Sequence, residues 1–172
     1  MSNRIVINLV RFIILVLMQV LIVRNINLGT YFIMLPYVLF ILSLPFETPR
    51  LLILALSFTI GITIDLFYST PGLHASACVS MGFTRYYVLK FVSPRDGYDV
   101  VVQPTIEDMG LEWYLKYAGV LIFVHHLLFF YFEVFRFDEI FRTLFRVILS
   151  SIGTFLLVYL IQFLFYSKRL NK

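Results

Sequence analysis

The sequence predicts an all-α integral membrane protein, a compact bundle of six transmembrane helices. Three observations carry that expectation. Of the 172 residues, 60% are apolar and 14% charged, whereas an ordinary soluble domain is roughly half apolar and about a quarter charged. Mean hydropathy is +0.91. The apolar residues fall into six long runs separated by helix-breaking residues. Nineteen Phe and 11 Tyr are more large apolar groups than a soluble interior of this size can hide. Disorder needs low hydrophobicity and high charge, the reverse of this composition. The runs are continuous, Phe12–Val23 being interrupted only by Gln19, so they do not alternate as barrel strands do.

A spanning helix takes about 20 mostly apolar residues. Ile5–Val23 is the first such run. Arg4 precedes it as in a signal peptide, but the run is longer than a typical h-region, and Val23-Arg24-Asn25-Ile26-Asn27 offers no small-residue cleavage site. Leu28–Leu44 is the second, bounded by Asn25 and Asn27 and by Pro45 and Pro49. Leu51–Phe67 and Leu73–Val92 follow, joined by the short turn Tyr68-Ser69-Thr70-Pro71 and ended by Pro94 and Gly97. Trp113–Phe135 and Leu144–Tyr166 complete the set. The longest connection, Ser93–Glu112, is too short for a soluble domain. It carries Asp96, Asp99, Glu107, Asp108 and Glu112 against Arg95, and reads as a solvated connector or a docking surface. Residues 1–172 therefore form a single domain.

The net charge of +4 forms no basic stripe, so nucleic acid is not an expected partner; the medium is a lipid bilayer. Six spans leave both termini on one side. Arg4, Arg11, Arg50, Arg85, Lys90, Arg95, Lys116, Lys168, Arg169 and Lys172 then fall on or near that side, against Arg24, Arg136, Arg142 and Arg146 on the other. This bias predicts both termini in the cytoplasm, with the arginines flanking the connection Arg136–Thr143 running against it. Cys78 is the single cysteine and can form no intramolecular disulfide.

Polar residues inside apolar runs are costly and invite a functional reading. Arg11 and Arg85 lie where long side chains reach for headgroups, and Gln19 suits a bond to a neighbouring helix. Gly61 and Asp65 are four apart and share a helix face. After Pro71, the residues Gly72, Ser76, Ser80 and Thr84 recur every four positions, a small-residue stripe that lets membrane helices approach. His74 is expected to meet Asp65 across the hairpin, directly or through a water. Two readings stand: a hairpin that binds a partner or ligand, or tight packing with one satisfied polar pair. His125 and His126 sit inside the fifth run, and His125 shares a face with Glu133, two turns or about 12 Å away. A metal or proton-relay role lacks the HExxH spacing; histidines bonded across helices are expected instead. No GxSxG, phosphate loop or paired-carboxylate motif is present, so no catalytic residue, metal or cofactor is expected.

The hairpin also carries a family likeness. Gly61-Ile62-Thr63-Ile64-Asp65-Leu66, followed by Pro71-Gly72-Leu73-His74-Ala75, resembles the rod shape-determining membrane protein MreD family. Its pattern is Gly-x-x-x-Asp-Leu, a short turn, then Gly-Leu-His-Ala. The second half, with Arg95-Asp96-Gly97-Tyr98-Asp99 and His125-His126, is similar to a Bacteroidetes-type branch of that family. The resemblance implies a non-enzymatic scaffold in the bacterial inner membrane. Its partner would be an MreC-like single-span protein, and through it an MreB-like filament and the peptidoglycan synthases, a SEDS glycosyltransferase and a penicillin-binding transpeptidase. It also implies a fold similar to the substrate-binding subunits of energy-coupling-factor transporters. The alternative from a different class is a small-molecule, vitamin-like uptake subunit with a ligand pocket in the bundle. A membrane enzyme using His125, His126 and Glu133 is the third reading.

Overall fold

The computed structural model describes residues 2–26, 32–99, 102–135 and 140–170. Among these residues the structure is helical, with no strand. Asn27 and Leu28, and Arg136, Asp138 and Glu139, lie outside the described residues, as do Lys172 and the side chains of Arg4, Lys168 and Arg169.

Helix α1 (Ser2–Leu17) runs on through a π turn (Met18–Ile22) and a 3-10 turn (Val23–Asn25). Ile5, Leu9, Ile13, Leu17 and Leu21 recur every four residues and are all exposed, while Leu15, Val16, Gln19 and Val23 are buried opposite. An apolar stripe of that length turned outward is the face a bilayer covers. Helices α3 (Arg50–Tyr68), α4 (Leu73–Phe91), α6 (Leu111–Val134) and α7 (Ile140–Leu170) pack in chain order, α3 on α4, α4 on α6 and α6 on α7. Four stretches are long and apolar enough to cross a membrane: Ile5–Asn25, Arg50–Tyr68, Leu111–Val134 and Ile140–Leu164. The chain is thus built as a multi-pass membrane protein.

The fourth expected run is a helix of 19 residues, about 28 Å long, but too polar to stand among those four. Its position explains why. Helix α4 buries His74, Ala77, Cys78, Met81 and Arg85 between α3 and α6, where protein rather than lipid surrounds the side chains.

The second expected run, Leu28–Leu44, departs from the sequence expectation. Among its described residues, 32–35 are not helical, and helix is found only in a 3-10 turn (Pro36–Val38) and α2 (Leu39–Leu42). Pro36 is the physical cause. Proline has no N–H to donate, and it disfavours the α conformation in the residue before it; Leu35 accordingly has φ −126° and ψ 66°. Every residue from Leu35 to Leu44 is buried. The apolarity of the run therefore marks the centre of the bundle, not a lipid-facing helix. This segment runs antiparallel to α1, with Phe40 edge-on to Phe12 at 5.4 Å and the Ser43 carbonyl accepting from Arg11 at 3.1 Å.

At the end of the bundle holding Leu44, the 93–112 connection, which carries the short helix α5 (Ile106–Met109), is tied down. Tyr98 Oη donates to the Leu89 carbonyl and Trp113 Nε1 to that of Val92, each at 2.9 Å. Phe46 stacks on Tyr98 and Trp113 on Tyr117. Burial raises the Tyr98 hydroxyl above the usual tyrosine range.

Candidate functional site

The first polar centre is the α3–α4 turn. Helix α3 ends at Tyr68, after which Ser69 takes a left-handed conformation (φ 56°). Pro71 is exposed in the turn, and Gly72, with φ 85°, begins α4 without a side-chain cap of its own. A helix start leaves amide groups without partners, and those of His74 and Ala75 are buried away from solvent. Asp65, one turn before the end of α3, supplies the cap. Its Oδ1 accepts from the His74 amide and the Thr70 hydroxyl, each at 2.9 Å, and its Oδ2 from the amides of Gly72 at 3.1 Å and Ala75 at 3.0 Å. The carboxylate is 2% exposed and faces the positive end of the α4 dipole. Gly61 makes the approach possible. A methyl group there would fall on the Cα of Ala75, 2.8 Å from its nitrogen and 2.8 Å from the His74 carbonyl oxygen.

The expected meeting of Asp65 and His74 is present, through the backbone amide of His74 and not its ring. The close helix contact runs through Gly61 with Ala75 and Gly82 with Ser57. In the stripe of Gly72, Ser76, Ser80 and Thr84, Ser76 and Thr84 instead turn their hydroxyls to Leu73 and Ser80 carbonyls of their own helix.

The second polar centre is the broken segment. The Ile33 amide donates to Ser150 Oγ at 3.1 Å and the Leu35 amide to Thr154 Oγ1 at 3.0 Å, both on α7. Between these hydroxyls Gly153 leaves room for the Phe32 ring, which a methyl group would strike. At the other end the carbonyls left open by α2 are held by three helices. Tyr117 Oη donates to Leu42 at 2.9 Å, Arg11 to Ser43, and Arg85 to Leu44. Cations at a helix C-terminus also complement its dipole.

Arg85 does not reach for headgroups as the sequence position implies. It is 0% exposed, and its Nε donates to Tyr117 Oη at 2.7 Å. Among the described residues it makes no ion pair, and its Nη1 has no hydrogen-bond partner. Gln19 does bond another helix, donating to Tyr68 Oη at 2.8 Å.

Between the two centres lies Tyr37, buried and bonded to two histidines. Its hydroxyl is 2.8 Å from His74 Nδ1 and 3.0 Å from His125 Nε2, so it donates to one ring and accepts from the other. Cys78 Sγ is 3.7 Å from His125 Nε2, and His125 Nδ1 is without a partner. His126 turns the other way: Nδ1 donates to the Ile122 carbonyl at 2.9 Å, and Nε2 accepts from Thr154 at 3.0 Å. Glu133 joins neither histidine and pairs with Arg146 at 3.1 Å. The expected grouping of His125, His126 and Glu133 is thus divided three ways. Two turns along one helix is too far for direct contact, and each side chain takes a partner from a different neighbour. Among the described residues no three His, Cys, Asp or Glu side chains are arranged to hold a metal ion.

Sequence reasoning passed over Tyr37, Tyr117, Ser150 and Thr154. Two signals point to them. Pro36 stands inside an apolar run and forces unpaired amides just upstream, while Ser150 and Thr154 place two hydroxyls four apart on one face of α7. Neither a family model, nor a curated protein, nor a solved structure matches this chain.

Proposed function

We propose that this chain is a non-enzymatic scaffold of the bacterial cell-elongation machinery, binding an MreC-like single-span protein in the inner membrane. Through that partner it connects to an MreB-like filament and the peptidoglycan synthases. In this reading the chain makes six passages: the four apolar helices, α4, and the broken segment alongside α1. Both termini then lie in the cytoplasm, in an architecture like the substrate-binding subunits of energy-coupling-factor transporters. The observation that carries the proposal is the Asp65 cap with the Gly61 contact. The residues on which the MreD likeness rests act inward, locking α3 and α4 into one stiff hairpin. A stiff hairpin with little mass outside the membrane has its outward helix faces to offer to other membrane proteins.

The test is affinity purification of the full chain in mild detergent from a rod-shaped host. The proposal expects an MreC-like protein to be recovered with it, and cells to round up on depletion. It also expects Asp65→Leu, which unlocks the hairpin, to insert but lose the partner. Depletion without a change of shape, and purification without that partner, would refute the scaffold role.

The broken segment favours a second reading, an uptake subunit for a vitamin-like molecule. Interrupted passages with free donors near mid-membrane form binding sites in transporters, and Arg85 and His125 each hold one buried nitrogen without a partner. A stoichiometric small molecule retained by the purified protein would put that reading first.

A further inference from the structure

At the end of the α3–α4 hairpin away from Asp65, the surface holds a groove of about 100 Å³. Ile53 and Gly82, both buried, form its floor, and Leu54 and Phe83 its sides. Arg50, Tyr86 and Tyr87 stand at its mouth. Arg50 is exposed, and its guanidinium lies on the Tyr86 ring, 3.2 Å from the centroid. Among the described residues it makes no hydrogen bond or ion pair, and the hydroxyls of Tyr86 and Tyr87 make none either. A guanidinium seated on an aromatic face keeps the N–H groups of its rim free for an oxygen acceptor. Arg50 opens α3, and Tyr86 and Tyr87 lie in the last two turns of α4. That is the level where basic and aromatic side chains meet the membrane interface.

We propose that this groove binds one anionic phospholipid from the leaflet surrounding the N-terminal end of α3. The lipid phosphate accepts from Arg50 and from the two tyrosine hydroxyls. The glycerol and the first acyl carbons lie between Leu54 and Phe83. From Arg50 to Leu54 is four residues, about 6 Å along the helix. That depth suits the upper part of a lipid and is too short for a partner helix, whose contact runs over several turns. Lys90 lies exposed one turn beyond Tyr86 and Tyr87 and adds positive charge, which selects a net-negative headgroup over a zwitterionic one.

Native mass spectrometry of the full chain in mild detergent, supplied with equal phosphatidylglycerol and phosphatidylcholine, tests the proposal. The expected result is one retained phosphatidylglycerol in preference to phosphatidylcholine. Arg50→Gln should lower that retention roughly tenfold, the loss of one charge-assisted contact. Leu54→Trp, which fills the groove and keeps the charge, should lower it as well. Arg95→Gln removes the same charge from the exposed 93–112 connection and should leave retention unchanged. Equal retention of the two lipids by the unaltered protein would overturn the proposal, as would Arg50→Gln and Arg95→Gln behaving alike. A photo-crosslinker at Leu54 should add the mass of a lipid in membranes; a polypeptide adduct there would instead assign the groove to a protein partner.

Discussion

Two interruptions of the helical backbone are tied down by side chains of this bundle, and they are held in opposite ways. At the α3–α4 turn one carboxylate, Asp65, takes three amides and a hydroxyl. At the 32–44 break the work is divided. Ser150 and Thr154 take the amides, and Tyr117, Arg11 and Arg85 take the carbonyls. Both arrangements answer the same demand, that every backbone polar group be satisfied where water is absent. They differ in how a single change propagates. A concentrated cap fails all at once, whereas a distributed one loses a bond at a time.

The largest effect should therefore come from Asp65→Leu. It leaves the buried amides of His74 and Ala75 unpaired, at about 1–3 kcal/mol each, and frees the part-buried amide of Gly72 as well, so the loss should reach several kcal/mol. It should appear as a steep fall in the melting temperature of the detergent-solubilised protein, followed by Trp113 fluorescence. Asp65→Asn should fall well short of that. With its NH2 placed on the Oδ1 side, the Thr70 hydroxyl can turn to accept from it, and only the His74 amide is lost. Equal losses for Leu and Asn would mean that charge, not the count of bonds, holds the turn.

Next in size is a pair of glycine substitutions. Gly61→Ala drives a methyl group into the backbone of Ala75, and overpacking of this kind costs about 1–3 kcal/mol. Gly153→Ala at the other break meets only the tip of the Phe32 ring, which can swing aside. The same added methyl should thus lower the melting temperature more at Gly61 than at Gly153. The reverse order would show that the broken segment is the stiffer of the two.

The same contrast explains what could be read from the sequence. The hairpin is local: its glycine, its carboxylate and the helix start it caps lie within fifteen residues, Gly61 to Ala75, so spacing alone brings them together. The break is not local. The Ile33 and Leu35 amides find their partners 117 and 119 residues away, and no pattern within the apolar run names them. The run length predicts a spanning helix over Leu28–Leu44. It did not tell a helix from a buried broken segment, and Pro36 decided that. The place of Arg85 near a helix end predicts a reach for headgroups. The Leu44 carbonyl and Tyr117, on two other elements, hold it inside instead.

A smaller effect is expected for Thr154→Val, which keeps the shape and removes one hydroxyl. The Leu35 amide and His126 Nε2 lose their common partner, so about 2 kcal/mol should be lost. Ring-nitrogen shifts of His126 in a spectrum of the labelled protein should report the lost bond. No change at His126 would show that another group takes the place of the hydroxyl.

Ser150→Ala should be the mildest, about 1 kcal/mol, because it removes one ordinary bond to a half-buried residue, Ile33. Its use is in combination with Thr154→Val, where the break can be tested as a distributed cap. Leu35 and Tyr37 are fully buried, and Tyr37 is pinned by His74 and His125. These anchors do not involve Ser150 or Thr154, so the segment should stay docked when either hydroxyl is lost. The two penalties should then add to within about 0.5 kcal/mol in a double-mutant cycle. A double variant costing clearly less than the sum would mean that one lost bond already frees residues 32–35. The break would then fail as a unit, as the hairpin does, and the contrast between the two regions would collapse.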